Sequence, residues 1–201
     1  PNRCLGFSEY GCEAMPNLHS AHPHRGDHSE EYQAKYHAYM LECFAKRPFM
    51  WANHVWNMFD FAADARDQGG EPGMNHKGLV TFDRKIKKDS FYLYKAWWNP
   101  EPMIHIAGKR FVDRPGKYTQ IQVYSNQPTV SLIVDGLKTA PQKPDKSNRH
   151  IFTFRVPLGY ELTKVEAVAG DLRDEAMFRF TPDPNPDYSI SRKKAGGGNW
   201  T

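Results

Sequence analysis

Hydrophobic and polar positions divide the chain into two regions with different patterns. Over residues 1–101, short apolar runs alternate with segments in which apolar residues recur at helical spacing. A short apolar run predicts a buried strand over residues 3–8, which ends in the polar group Ser8-Glu9-Tyr10-Gly11. The stretch from Phe49 to Phe59 is almost continuously apolar, which favours a parallel strand covered on both faces.

Two helices are predicted in the same region. Ser29 is a suitable N-cap, and the acidic residues Glu30 and Glu31 follow it at the positive end of the helix dipole. The apolar face of this first helix is predicted to carry Tyr32, Tyr36, Tyr39, Met40, Cys43 and Phe44. A second helix is predicted from Lys87 to Trp98 and stops at Asn99-Pro100. Strand, helix, strand and helix in this order indicate right-handed β/α units.

After Pro102 the chain contains short alternating segments separated by turn residues, with no helical pattern between them. This spacing predicts a β-sandwich. The predicted strands cover residues 103–107, 119–124, 129–134, 150–156, 164–169 and 176–180. The remaining tail is predicted to be a stiff proline-rich linker followed by a flexible glycine-rich segment, Ala195-Gly-Gly-Gly198.

Composition excludes several classes of function. The chain is 39% hydrophobic and 13% aromatic, which is enough to build a core, and its net charge of +4 is mild. The one dense basic run, Arg84 to Lys88, is interrupted by Ile86 and predicts a solvated face, so no nucleic-acid partner is expected. No apolar run approaches the roughly 20 residues that span a bilayer, so no membrane partner is expected.

The cysteines and the first residue carry less information. Three cysteines without a C-x-x-C pair do not indicate a disulfide framework. The chain starts at Pro1 and enters a strand almost at once, which suggests a piece of a longer protein.

Several polar groups are candidates for chemistry. Glu9 follows a buried strand, where it is either a catalytic group at a barrel rim or a salt-bridge partner. Glu13 is a competing carboxylate. Asp60 and Asp83 are predicted to be structural, paired with Arg66, Arg84 or backbone amides. One loop contains His19, His22, His24 and His28, but their spacing does not suggest a metal site, and neither a metal nor a cofactor is predicted.

Three segments of the first region, and the second region as a whole, carry a family resemblance. Ser8-Glu9-Tyr10-Gly11, continued to His19 and Ser20, resembles the nucleophile segment of glycoside hydrolase family 2. His54-Val-Trp56-Asn57 with Asp60 resembles the eighth barrel strand of that family. Gly73-Met-Asn75-His-Lys77-Gly78 and the residues to Tyr92 resemble the segment leading into its last helix. Residues 104–180 resemble the immunoglobulin-like domain that follows the barrel in many bacterial members.

The resemblance implies a fold class of α/β plus all-β. Residues 1–101 would be the C-terminal part of a (β/α)8 TIM barrel, with strands 7 and 8 and their helices. Residues 102–181 would be an immunoglobulin-like β-sandwich, and residues 182–201 a linker or tail. The remainder of the barrel would lie on a missing segment.

The resemblance also implies retaining hydrolysis, in which Glu9 is the nucleophile and a second carboxylate is the acid/base. The acid/base Glu of the family follows an Asn, and this chain contains no Asn-Glu pair. The chain alone is therefore not expected to complete the reaction.

The predicted substrate-binding residues are Trp56, Asn75, Lys77, Tyr10 and His19. Trp56 would line the sugar subsite, or else pack in the core. Asn75 and Lys77 match a sugar-binding pair that contacts the uronate carboxylate in the β-glucuronidase branch. Otherwise they are a turn residue and a solvated lysine. His19 matches a family histidine near the nucleophile.

The glycone remains open at this stage. A β-galactosidase is preferred, with β-glucuronidase as its rival within the family. A different class is also open, in which the chain is a non-catalytic β-sandwich scaffold or a carbohydrate-binding fragment. A carbohydrate is the expected partner, and a homo-oligomer is left open. A bacterial periplasmic or secreted protein is favoured over a cytoplasmic one.

Overall fold

A computed structural model describes residues 3–66 and 71–190, and these fall into two units. The first unit contains the described residues up to Phe91 together with residues 187–190, and the second contains Tyr92–Pro186. The predicted flexible segment Ala195-Gly-Gly-Gly198 lies outside the described residues.

Two parallel strands joined through a helix open the first unit. Strand β1 (Leu5–Tyr10) pairs in parallel with β2 (Met50–Val55), and helix α1 (Glu30–Ala45) lies between them in the chain. This confirms the strand, helix and strand order. Strand β1 runs two residues further than predicted, so Glu9 and Tyr10 belong to the strand rather than to a loop after it.

Helix α1 begins where the sequence predicts, but it buries a different face. Ser29 is the N-cap, and its hydroxyl oxygen accepts a hydrogen bond from the Tyr32 N–H at 3.1 Å. The predicted apolar face is wrong, because Tyr39 is 68% exposed. Polar side chains turn inward because they find backbone partners there, and Gln33 Nε2 donates to the Cys12 carbonyl at 2.9 Å. The buried residues are Glu30, Gln33, Ala34, His37 and Leu41.

The sheet of the first unit is less covered than its apolar sequence predicts. Trp51 on β2 is 72% exposed, and Leu5 and Phe7 on β1 are also exposed. The expectation of a strand buried on both faces is therefore wrong for the described residues. The reason is that β1 and β2 pair only with each other within that part of the chain.

The rest of the first unit is a short ladder followed by the first turn of a helix that continues into the second unit. Strands β3 (Phe61–Ala62) and β4 (Met74–Asn75) are antiparallel. Helix α2 (Asp89–Trp98) starts two residues later than predicted and ends before Asn99-Pro100, as expected.

The second unit contains two antiparallel-rich sheets around one core. All six predicted strands are present, and two further short strands, at residues 113–114 and 137–138, had no signal in the sequence. Their bounds are β5 (Ile104–Ile106), β6 (Asp113–Arg114), β7 (Tyr118–Ser125), β8 (Ser131–Val134), β9 (Leu137–Lys138), β10 (Ile151–Pro157), β11 (Thr163–Ala169) and β12 (Leu172–Phe180). The strand orders are β10-β7-β5 and β6-β12-β11-β8-β9.

The core of the second unit draws on both sheets. Ile121 and Phe152 come from one sheet, and Leu132, Val165 and Phe178 come from the other, all without solvent exposure. Alternating inward residues from two facing sheets are what a β-sandwich requires.

The described residues contain no disulfide-bonded cysteine and no candidate membrane span. Cys4, Cys12 and Cys43 are free thiols. Among the described residues, no helix is both long enough and apolar enough to cross a bilayer.

Candidate active site

Strand β1 presents Glu9 and Tyr10 to opposite sides. Glu9 is exposed, and its carboxylate makes no hydrogen bond or ion pair within the described residues. Tyr10 is buried, and its ring packs 4.9 Å from Phe44 and 6.0 Å from His37. Successive strand residues point to opposite faces, so the buried tyrosine fixes the strand and directs Glu9 outward.

The end of β1 is bonded directly to the residue that follows β2. The Trp56 N–H donates to the Tyr10 carbonyl at 2.8 Å. Gly11 lies against the same residue so closely that a Cβ there would be 2.0 Å from the Trp56 carbonyl oxygen. Only glycine allows this approach, which brings Trp56 next to the segment that bears Glu9.

The Trp56 ring is partly exposed rather than enclosed. It is 38% exposed and meets the Phe61 ring edge-on at 5.9 Å. The peptide bond between Trp56 and Asn57 is cis. The indole is therefore held by its contact with Phe61 and remains partly accessible to solvent.

Hydrogen bonds of the backbone bring Asn75 and Lys77 next to the segment that contains Trp56 and Asn57. The Asn57 N–H donates to the Lys77 carbonyl at 3.3 Å, which ties Lys77 to the residue after Trp56. Asn75 is buried, and its Oδ1 accepts from the Lys77 N–H at 3.0 Å. The Lys77 ammonium itself makes no hydrogen bond or ion pair within the described residues.

His19 is held by other partners. Its ring is buried, Nδ1 lies 3.0 Å from Glu31 Oε1, and the ring meets Tyr188 edge-on at 4.9 Å. Glu31 Oε2 also accepts from the Ser20 N–H at 3.1 Å. This anchors the histidine loop to helix α1.

Other histidines of the loop turn to separate partners. The His28 ring lies 3.4 Å from Glu13, and His24 Nδ1 donates to the Arg25 carbonyl at 3.1 Å. Among the described residues, no three His, Cys, Asp or Glu side chains converge as a metal would need.

Glu13 has a structural pairing. Arg66 donates to its Oε1 at 2.8 Å, and the glutamate side chain is almost fully buried. A carboxylate bound in this way is less available for attack than the exposed Glu9.

Asp60 has the backbone-amide partner that the sequence predicted, because its Oδ1 accepts from the Gly78 N–H at 2.8 Å, but its ion-pair partner is Lys88 rather than an arginine. Lys88 Nζ donates to Asp60 Oδ1 at 2.8 Å, and both side chains are buried. Arg84 contacts Asp60 at its backbone carbonyl, at 3.5 Å, and donates a shorter hydrogen bond to the Phe82 carbonyl at 2.9 Å. Asp83 accepts locally from the Thr81 hydroxyl at 2.6 Å and from the Lys85 N–H at 3.1 Å.

The burial of Lys88 also corrects the expectation that the basic run from Arg84 to Lys88 is a solvated face. Lys85 is exposed, whereas Lys88 has no exposed area. Burial lowers the pKa of the Lys88 ammonium, and the neighbouring Asp60 carboxylate opposes that shift. The sequence pattern contains no signal of this burial, because Lys88 lies in the basic run and inside the helix that is predicted from Lys87.

These observations define a class of protein. An exposed carboxylate near the end of a parallel strand lies on a segment bonded to a partly exposed tryptophan. That tryptophan in turn adjoins a lysine whose ammonium group has no partner among residues 3–66 and 71–190. The same chain also contains a β-sandwich. No family model matches the chain. Its relatives are nonetheless glycoside hydrolases, and the resemblance to family 2 is confirmed.

The particular relatives are bacterial β-glucuronidases and a β-galactosidase. A β-glucuronidase of Bacteroides fragilis is 42% identical over 151 residues, which is 72% of this chain and 22% of that protein. The crystal structure of an FMN-binding β-glucuronidase from Faecalibacterium prausnitzii L2-6 superposes with a TM-score of 0.88 and 47% identity, covering 94% of this chain and 29% of that one. A putative β-galactosidase from B. fragilis superposes with a TM-score of 0.82 and 31% identity, covering 90% and 28%. The chain thus spans less than a third of the length of these relatives.

Proposed function

We propose that the chain is part of a retaining β-glycoside hydrolase whose glycone is glucuronic acid. The sequence alone favoured galactose. Relatives named β-glucuronidase reach 42% and 47% identity, against 31% for the putative β-galactosidase, and this supports the glucuronide alternative instead.

The observation that carries this choice is the Lys77 ammonium. It has no partner within the described residues, while its backbone is bonded to Asn57 and to the Asn75 side chain. A cation carried on a fixed backbone suits the carboxylate of a glucuronide, because charge-assisted hydrogen bonds are about twice as strong as neutral ones. A galactoside has a hydroxymethyl group at that position and leaves the charge without a counterpart.

In this proposal residues 1–101 supply strands 7 and 8 of a (β/α)8 barrel, and residues 102–181 supply an immunoglobulin-like sandwich. The parallel pairing of β1 and β2 supports the first assignment. Their exposed apolar side chains are accounted for if further barrel strands cover them. The two facing sheets of the second unit support the second assignment.

The proposed mechanism is a double displacement. The Glu9 carboxylate attacks the anomeric carbon while a second carboxylic acid protonates the departing oxygen, so that a glycosyl ester forms on Glu9. Water, deprotonated by that second carboxylate, then cleaves the ester and restores Glu9. The two groups would be about 5–5.5 Å apart, and the second would come from a segment outside these 201 residues. Trp56 would pack its indole against the sugar ring.

The test is hydrolysis of an aryl β-glucuronide and an aryl β-galactoside by the full-length protein that carries this chain. The expected result is a higher kcat/KM for the glucuronide, and Lys77→Met should reduce that preference. Lys85→Met is the matched control, because Lys85 is exposed. A wild-type preference for the galactoside would overturn the proposal in favour of β-galactosidase, the activity named for one structural neighbour. Hydrolysis by the 201-residue chain alone would contradict the proposal that the acid/base residue lies outside this chain.

A further inference from the structure

Both chain neighbours of Lys77 are bonded to one buried ion pair. On one side, the His76 carbonyl accepts a hydrogen bond from Lys88 Nζ at 3.0 Å. On the other side, the Gly78 N–H donates to Asp60 Oδ1 at 2.8 Å. The backbone of Lys77 is therefore held from before and after by the two members of the Asp60–Lys88 pair.

The same pair reaches the segment that follows Glu9. Lys88 Nζ donates its third hydrogen bond to the Ala14 carbonyl at 2.7 Å, and the Ala14 N–H donates to the His76 carbonyl at 3.0 Å. All three ammonium protons of Lys88 thus have acceptors, on segments around residues 14, 60 and 76. One side chain links the loop after the nucleophile strand to the segment of Asn75 and Lys77.

The fit around the pair is tight. A Cβ on Gly78 would be 2.1 Å from the Asp60 nitrogen and 2.5 Å from its Oδ1. The residue after Lys77 must therefore be glycine for the Asp60 contact to form. This arrangement leaves little room for the Lys77 backbone to shift.

A buried ion pair is weak evidence for a gain in stability. Taking two charges out of water costs several kcal/mol, and well-packed apolar replacements of buried ion pairs are often neutral or stabilising. What an ion pair provides and an apolar contact does not is directional bonding to particular backbone atoms. Here those atoms flank Lys77 on both sides.

We propose that Lys88, together with Asp60, is a positioning residue for glycone recognition: it fixes the backbone of Lys77 so that the ammonium group meets the substrate carboxylate in one place. This rests on the proposed function above. Sites of this kind need their binding groups held to within about 0.5 Å by the residues behind them.

The test compares Lys88→Met, Lys77→Met and the control Lys85→Met in the full-length protein, with an aryl β-glucuronide as the probe. Lys88→Met should raise KM about tenfold or more, in the same direction as Lys77→Met. The double variant should be little worse than Lys77→Met alone, because both changes remove the same interaction. Lys85→Met should leave KM unchanged.

A purely structural role predicts a different pattern. Partial unfolding lowers the amount of active enzyme, and hence the apparent kcat, but leaves KM unchanged. That result, or additive effects of the two lysine changes on KM, would overturn the proposal. If Lys88→Met does not fold, Asp60→Asn keeps the size and one acceptor oxygen, and it should also raise KM; an unchanged KM would again overturn the positioning role.

The proposed function fails separately. A wild-type protein that prefers the galactoside contradicts the assignment of the glycone, whatever Lys88→Met does. A wild-type protein that prefers the glucuronide, with KM unaffected by Lys88→Met, contradicts only the positioning role.

Discussion

The backbone N–H of Trp56 donates a hydrogen bond to the carbonyl of Tyr10 at 2.8 Å, so the residue beside the proposed nucleophile is bonded to the residue proposed to hold the sugar. Glu9 and Trp56 lie 47 positions apart in the sequence numbering, yet this bond joins the ends of two strands that are also paired along their length. A displacement of either strand end is thereby transmitted to the other.

Replacing the proposed nucleophile should abolish turnover without unfolding the protein. Glu9→Gln should lower kcat by about 10³-fold or more, because an amide cannot form the glycosyl ester. Its thermal unfolding should match the wild type, since Glu9 is exposed and has no partner within the described residues. Glu161→Gln, at an exposed position of the second unit, is the control. Full activity in Glu9→Gln would show that the nucleophile is another residue.

The Trp56 ring should matter more for activity than for stability. Trp56→Ala should lower kcat/KM about 10- to 100-fold, because the ring no longer packs against the sugar. The free energy of unfolding should change by only about 1–2 kcal/mol, because the ring is already 38% exposed. Trp56→Phe should restore part of the activity. If the alanine variant loses stability but keeps kcat/KM, Trp56 is a packing residue.

Gly11 should not accept even a methyl group. In Gly11→Ala the new Cβ would be 2.0 Å from the Trp56 carbonyl oxygen, so one of the two strand ends must move. We expect the free energy of unfolding of the chain, measured by thermal unfolding, to fall by about 1–3 kcal/mol. Gly159→Ala is the matched control, because its nearest neighbour would be 3.9 Å away, and it should change stability by less than about 0.5 kcal/mol. Equal effects of the two substitutions would contradict the close approach.

Acid should destabilise the first unit through His37. Burial, reinforced by the nearby Lys88 charge, lowers the pKa of His37 from 6.5 to about 3. Between these values the unfolded chain binds a proton that the folded chain does not. The free energy of unfolding therefore falls as the pH drops from 6.5 towards 3, by up to about 1.4 kcal/mol per pH unit from this residue.

The measurement is urea unfolding of the chain at several pH values in that window. His37→Gln should flatten the acid dependence, because glutamine does not titrate. The exposed His22 provides the control, and His22→Gln should leave the slope as in the wild type. A wild-type slope in His37→Gln would mean that other groups cause the acid sensitivity.

Local signals in the sequence predicted much of the fold. Ser29 followed by Glu30 located the start of helix α1, because capping depends on neighbouring residues only. The strands of the second unit were located because their inward residues alternate, as at Ile121 and Val123.

Long-range partners explain what the sequence did not predict. Gln33 and His37 are buried, and Gln33 donates a hydrogen bond there to the carbonyl of Gly78, which is distant in sequence. A hydrophobicity pattern treats both residues as polar and therefore does not predict their burial. Lys88 belongs to a basic run, yet its acceptors come from three other segments of the chain. The extreme exposure of Trp51 was missed for a related reason, since apolar sequence alone does not reveal how many strands a sheet contains.

The Lys88 bonds also bear on the order in which the chain folds. They join residues 74, 28 and 12 positions apart, whereas β11 and β12 of the second unit meet across a tight hairpin in which Ala169 faces Leu172. Closing a long loop costs more entropy than closing a short one, so contacts distant in sequence form late. We expect the hairpin to be among the first structures to form. The Lys88 bonds that hold the segments around residues 14, 60 and 76 together can form only after Lys88 has emerged from the ribosome. A nascent chain that stalls before that residue would contain Glu9 and Lys77 without the side chain that holds their segments together.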